Sequence, residues 1–125
     1  MEYFREKYRT GVMNIKAFEK MIEVLEHLQQ RDYNFIEMLG EGALGSVIKI
    51  ENLTSKKECA LKVVDENKVS EGEINIWSTL KHRNILPLIS HEYIYFAKSH
   101  VFFTTVHPTT LHKKNFDLTF ICPRR

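Results

Sequence analysis

Three glycines set close together, Gly40, Gly42 and Gly45, are the strongest chemical signal in this sequence. Glycine has no Cβ, so a backbone with this spacing can turn tightly and approach a phosphate group without a steric clash. Lys62 follows after a strand-like stretch, a polar turn and a second strand-like stretch, where its ammonium group could reach the same phosphates. The residue types and their order therefore predict a site for a phosphate-bearing ligand.

The two residues Ala60 and Lys62 strengthen this prediction. They lie two positions apart, so in a strand their side chains share one face. A small residue leaves room for a flat ring, and the lysine supplies positive charge. The alternative for Lys62 is a solvated surface charge, and the alternative for the glycines is a structural turn. The strand-like run from Ser46 to Ile50 favours a glycine hairpin over a glycine turn that opens a helix.

A helix precedes this region. Apolar residues recur at steps of three and four between Asn14 and Gln30, which predicts an amphipathic helix with Asn14 as its N-cap. The apolar stripe comprises Ile15, Phe18, Ile22, Leu25 and Leu28. Residues 1–12 are polar and aromatic, and we expect them to form a loose lead-in without regular structure.

From residue 33 the apolar period shortens, and the pattern predicts strands. Their ranges are Tyr33–Leu39, Ser46–Asn52, Glu58–Val64, Leu88–Phe96 and His100–Val106, with a turn at 97–99 and a helix over 71–80 between the third and fourth strands. The expected fold class is α+β: a five-stranded antiparallel sheet with one inserted helix, preceded by the N-terminal amphipathic helix.

Composition narrows the classes of partner. The chain has 125 residues and a formal net charge of +2, which does not favour nucleic acid or a membrane surface. Cys59 and Cys122 have neither disulfide nor metal-ligand spacing, so we expect a reduced, cytoplasmic protein, with the nucleus as the alternative location. No metal-ligating group stands out.

The stretch from Gly40 to Val47 reads G-x-G-x-x-G-x-V, and Ala60 and Lys62 follow it. With the order of elements, and with Lys81-His82-Arg83-Asn84-Ile85 similar to a helix-exit turn, these motifs resemble the small lobe of protein kinases. The resemblance covers roughly residues 33–110, leaving 1–32 as an extension and 111–125 as an irregular tail. The short connection between Lys62 and Glu73 is a weak hint of a MAP kinase kinase kinase-like serine/threonine kinase.

The resemblance implies ATP as the cofactor and assigns roles to individual positions. Val47 would pack on the adenine ring, Lys62 would contact phosphates and pair with Glu73, and Thr105 would stand at the gatekeeper position behind the adenine. Glu71 is the rival partner for Lys62, and Thr104 is the gatekeeper if the alignment slips by one. The implied cofactor-binding residues are Leu39, Gly40, Gly42, Gly45, Val47, Ala60, Lys62, Glu73 and Thr105.

The same resemblance shows what the sequence lacks. No glycine follows Gly72, so there is no D-F-G motif to supply a magnesium-binding aspartate, and Asp117 has no H-R before it. The stretch His82-Arg83-Asn84 comes before the fourth strand, which assigns it to the helix-exit turn rather than to a catalytic loop. We therefore expect no catalytic residue, no magnesium held by this chain, ATP bound weakly or not at all, and no phosphate transfer by the chain alone.

Together, these features predict a kinase-like ATP-binding small lobe without the catalytic large lobe. Its function would be that of a truncated, pseudokinase-like or regulatory form of a serine/threonine kinase, and its partner a kinase or a kinase large lobe. The alternative is a protein-interaction module acting through the 14–30 helix and the exposed lower face near Trp77 and Leu80. A third interpretation, an active enzyme completed by a separate large lobe, has the least support. The apolar residues of the tail, Phe116, Leu118, Phe120 and Ile121, could cover the lower face.

Overall fold

The structure is a computed structural model that describes residues 2–42, 45–69, 75, 79 and 87–105. Its elements are α1 (Glu2–Arg9), α2 (Ile15–Gln30), β1 (Tyr33–Gly42), β2 (Gly45–Asn52), β3 (Glu58–Asp65), β4 (Leu88–Ile94) and β5 (Ser99–Thr105), with a short 3-10 turn at Glu66–Lys68. No helix in the described part of the chain is long and apolar enough to cross a membrane.

The five strands form one antiparallel sheet in the order β1-β2-β3-β5-β4. This confirms the predicted fold class, an α+β protein with a five-stranded sheet behind an N-terminal helix. Most of the predicted helix over 71–80 lies outside the described residues. Within it, Asn75 and Thr79 are helical, and the Thr79 hydroxyl donates to the Asn75 carbonyl at 3.2 Å.

The prediction of a loose lead-in over residues 1–12 is wrong, because Glu2–Arg9 form the helix α1. Phe4 holds this helix in place. Its side chain is fully buried, and its ring centroid lies 5.1 Å from that of Phe35 on β1. Full burial of a large aromatic side chain contributes about 1.5–3 kcal/mol. The sequence pattern missed this helix because the stretch is short and mostly polar, with Tyr3, Phe4 and Tyr8 as its aromatic residues.

The helix α2 begins where the sequence predicts. The side chain of Asn14 accepts a hydrogen bond from the Ala17 amide at 2.8 Å, which confirms the N-cap. The buried stripe differs from the predicted one. Ile15 is 46% exposed and Ile22 is half-buried, whereas the buried residues are Met21, Val24, Leu25 and Leu28. Both sets have helical spacing, so periodicity alone could not choose between two stripes that overlap at residues 25 and 28.

The sheet has two distinct faces, which we call the outer face and the inner face. The outer face packs against α1 and α2 and forms one apolar cluster with them, to which the strands contribute Ile48, Ile50, Leu61, Val63, Val101 and Phe103. Side chains alternate along a strand, so the inner face carries the intervening residues: Val47, Lys49, Ala60, Lys62, Val64, Phe102 and Thr104. The helices therefore cover the sheet on the side away from Lys62.

The predicted starts at Tyr33, Glu58 and Leu88 and the end at Asn52 are confirmed, and the other strand ends differ from the predicted ranges by one to three residues. The strand β1 continues to Gly42 and β2 begins at Gly45, so the hydrogen-bonded ladder runs into the glycine hairpin itself. The predicted turn at 97–99 lies at 95–98 instead, with Lys98 at φ 49°, and Ser99 already belongs to β5. The predicted boundary between residues 32 and 33 stays a prediction.

Candidate functional site

The residues Val47 and Lys62 form the centre of the inner face. They are direct cross-strand partners in β2 and β3, and their side chains are 0% and 1% exposed. Residues directly opposite each other in an antiparallel pair project to the same side of the sheet. The lysine of the phosphate-binding prediction therefore lies on the same face as the apolar residue that follows the glycine hairpin, and away from the helices.

The next cross-strand pair along this face joins Ala60 to Thr104. Both residues are buried, and the Thr104 hydroxyl donates to the carbonyl of Pro87 at 2.5 Å. The neighbouring Thr105 is exposed and pairs with Cys59, whose side chain belongs to the outer face. The structure thus favours the alternative that the sequence left open, with Thr104 rather than Thr105 beside Ala60. Whether Thr104 contacts a ligand stays a prediction.

The hairpin between β1 and β2 brings two of the predicted glycines together. Gly42 pairs with Gly45, and Gly40 pairs with Val47. A shift in the pairing between Met38 and Gly40 leaves Leu39 as an extra residue on β1, where it is half-buried. Such a bulge changes the direction of the side chain and increases the local twist of the strand.

Gly45 has a structural requirement that the sequence did not reveal. Its φ is +147°, and a Cβ added to it would lie 2.1 Å from the carbonyl oxygen of Val63 on β3. No side chain fits at that distance, and the neighbouring atom belongs to backbone that is itself paired in the sheet. Glycine at this position is therefore necessary for the hairpin to pack on β3, whether or not a phosphate binds nearby.

A second lysine occupies the inner face and was absent from the predicted site. Lys49 pairs with Ala60 across β2 and β3, and its amine lies 3.1 Å from a carboxylate oxygen of Glu37 and 3.7 Å from one of Glu58. The hydrogen bond that it donates to Glu37 is the main cause that raises the pKa of Lys49. The two carboxylates therefore hold this ammonium group within the sheet.

The thiol of Cys59 has no features of a reactive group. Burial raises its pKa to about 11, so it is protonated at neutral pH and is a poor nucleophile. In the described part of the chain, no group of three histidine, cysteine or acidic side chains is arranged to hold a metal ion. The described inner face thus carries two lysines among apolar side chains, and one of them, Lys49, is paired with carboxylates.

Several predicted features lie outside the described residues. These are Glu73 and its rival Glu71, the helix-exit turn at 81–85, the hinge at 106–108, Trp77 and Leu80 of the lower face, Cys122 and the tail. The pairing of Lys62 with Glu73 therefore stays a prediction.

The interaction role predicted for the 14–30 helix receives little support from the geometry. The residues Val24 and Leu28 are 0% and 1% exposed, and both belong to the cluster that includes the outer face of the sheet. The main apolar stripe of α2 is thus occupied by its own domain.

Comparison with known proteins is consistent with a fold like that of the protein-kinase small lobe. No family model matches the chain. A serine/threonine-protein kinase of Debaryomyces hansenii is 37% identical over 70 residues, covering 50% of this chain and 12% of that kinase. Probable cyclin-dependent kinase 9 of Schizosaccharomyces pombe is 36% identical over 76 residues, covering 55% of this chain and 13% of that kinase. CBL-interacting protein kinase 5 of Oryza sativa is 35% identical over 81 residues, covering 55% of this chain and 18% of that kinase.

About half of this chain is therefore similar to serine/threonine protein kinases, and its antiparallel sheet has the architecture of a kinase small lobe. The chain spans less than a fifth of the length of each of these three curated relatives. The hint of a MAP kinase kinase kinase stays a prediction, since these relatives carry other names.

Proposed function

We propose that this chain binds ATP or a related nucleotide on the inner face of its sheet. The observation that carries the proposal is the burial of Lys62 on the same face as Val47, Ala60 and Thr104. A charged side chain is almost never fully buried unless it is paired, because removing it from water is costly; the proposal therefore depends on the face that Lys62 shares with these three residues. Similarity to serine/threonine kinases over half of the chain supports the same ligand.

In this proposal the adenine ring lies against Val47 and Ala60, and the ammonium group of Lys62 contacts the phosphates. The hairpin at Gly40–Gly45 covers the phosphates through its backbone amides. These 125 residues contain no D-F-G or H-R-D motif, so phosphate transfer would need catalytic groups that they do not supply. The proposed role is regulatory, with a kinase or a kinase large lobe as the proposed partner.

The test compares nucleotide binding by the unaltered chain, Lys62→Met and Lys57→Met. Lys57 is an exposed lysine in the turn before β3, so its replacement changes the net charge equally and leaves the inner face intact. Calorimetric titration with ATP, ADP and adenosine, with and without magnesium, measures affinity. We expect Lys62→Met to weaken ATP binding about tenfold or more, as for a lost hydrogen bond to a charged group, and to affect adenosine little.

Two results would overturn the proposal. One is an unaltered chain that binds no nucleotide at millimolar concentration. The other is ATP binding by Lys62→Met, checked as folded by circular dichroism, that equals binding by Lys57→Met. Phosphate transfer by the isolated chain to itself or to a generic serine/threonine peptide would contradict the non-catalytic part alone.

A further inference from the structure

An ion pair joins the N-terminal helix to the glycine hairpin. The amine of Lys7 on α1 donates to a carboxylate oxygen of Glu41 at 2.9 Å, and Glu41 stands between the first two glycines of the hairpin. The Lys7 side chain is 19% exposed and that of Glu41 is 45% exposed. The same amine lies 5.2 Å from the ring centroid of Tyr3, which provides a further electrostatic contact.

The helix that carries Lys7 is firmly held. Phe4 is fully buried, and the rings of Tyr8 and Phe18 stack with centroids 4.9 Å apart, which fastens α1 to α2. The carbonyl of Lys7 also accepts a hydrogen bond from the Met13 amide at 3.0 Å. Lys7 therefore reaches the hairpin from a fixed support rather than from a mobile terminus.

The ion pair between Lys7 and Glu41 lies on the side of the hairpin opposite to the proposed nucleotide site. Glu41 pairs with Ser46, and Ser46 pairs with Val63, which belongs to the outer face. The adjacent pair, Gly40 and Val47, belongs to the inner face. The ion pair thus holds the hairpin from the outer side and leaves the inner side of the same backbone available.

We propose that Lys7 is a positioning residue for the glycine hairpin, and that α1 thereby controls how well the hairpin receives phosphates. This inference rests on the proposed nucleotide function. Its physical basis is that a hairpin already fixed in its binding conformation loses less conformational entropy when the ligand binds. The hydrogen bond that Lys7 donates to Glu41 is the main cause that raises the pKa of the lysine, so the ammonium form persists throughout the neutral range.

The test compares Lys7→Met with Arg5→Met. Arg5 lies on the same helix and, among the described residues, pairs only with Glu2, so its replacement matches the change in charge without removing an ion pair to the described part of the hairpin. For Lys7→Met we expect ATP affinity to fall about two- to fivefold, the range for a partly exposed ion pair, with adenosine affinity unchanged. Amide hydrogen exchange of residues 39–47 without nucleotide should be faster in Lys7→Met and unchanged in Arg5→Met. Restoration of ATP affinity in the exchanged pair, Lys7→Glu with Glu41→Lys, would support the contact itself.

The outcomes separate this inference from the proposed function. Unchanged hydrogen exchange in Lys7→Met overturns the positioning role even if ATP binds. Equal losses of ATP and adenosine affinity also overturn it, because they indicate a general structural effect. Faster exchange in a chain that binds no nucleotide supports the contact and overturns the ATP proposal, and with it the link to phosphates.

Discussion

Thr104 on β5 lies directly opposite Ala60 on β3, and the side chains of both residues are buried on the inner face. The hydroxyl of Thr104 also donates to the Pro87 carbonyl, which ties the end of β5 to the start of β4. This pair therefore connects the central strands to the edge strand at one boundary of the proposed nucleotide site.

The Thr104 pairing leads to a prediction about adenine binding. A long side chain in Thr104→Met should extend over Ala60 and weaken adenosine and ATP binding to similar degrees. Thr105→Met should change neither affinity, because Thr105 is exposed and pairs with an outer-face residue. Calorimetric titration of both variants measures the difference. A larger loss of affinity in Thr105→Met than in Thr104→Met would instead assign the gatekeeper position to Thr105.

The contact between Gly45 and Val63 predicts a large effect on stability. Gly45→Ala should lower the free energy of unfolding by about 1–3 kcal/mol or more, because the backbone conformation is unfavourable for alanine and its Cβ would meet the Val63 carbonyl. Gly11→Ala is the matched control. Gly11 also has a positive φ, +84°, but nothing lies within 4 Å of an added Cβ. Urea unfolding of both variants measures the loss in the free energy of unfolding. An equal loss in the two variants would mean that the close approach of Gly45 to β3 does not affect stability.

The pKa values of two histidines lead us to expect that the fold is less stable in mild acid. Burial, with a smaller contribution from His91, lowers the pKa of His100. Burial together with Arg31 lowers the pKa of His27, against the opposing effect of the Glu92 carboxylate 3.0 Å from its ring nitrogen. Both groups release their protons more readily when folded than when unfolded, where the pKa is about 6.5. The unfolded state therefore binds more protons, and the free energy of unfolding falls as pH decreases below this value.

Urea unfolding at pH 5.5, 6.5 and 7.5 checks this sign. The variant His100→Gln should reduce the dependence on pH without abolishing it, because His27 remains. Lys20 lowers the pKa of Asp65 through a hydrogen bond, so that carboxylate stays ionised across this range and does not contribute to the slope. Greater stability at pH 5.5 than at pH 7.5 would contradict the prediction.

The sequence was sufficient to predict the strands, the α2 N-cap and the shared face of Ala60 and Lys62. These features depend on local patterns, namely alternation, capping chemistry and a spacing of two. It was insufficient for α1, whose position depends on contacts of Phe4 and Tyr8 with distant residues, and for Lys49, whose partners come from two other strands. The choice between Thr104 and Thr105 depends on strand register, because a shift of one residue reverses the face of every side chain.

The strand order β1-β2-β3-β5-β4 also has a consequence for the path of folding. The strands β1 to β3 follow one another through short connections, and β4 and β5 form a second local unit joined by the turn at 95–98. The pairing of β3 with β5 joins these two units and closes the longest loop in the sheet. Loop closure costs conformational entropy before its contacts form, so this junction should be among the last parts of the sheet to assemble.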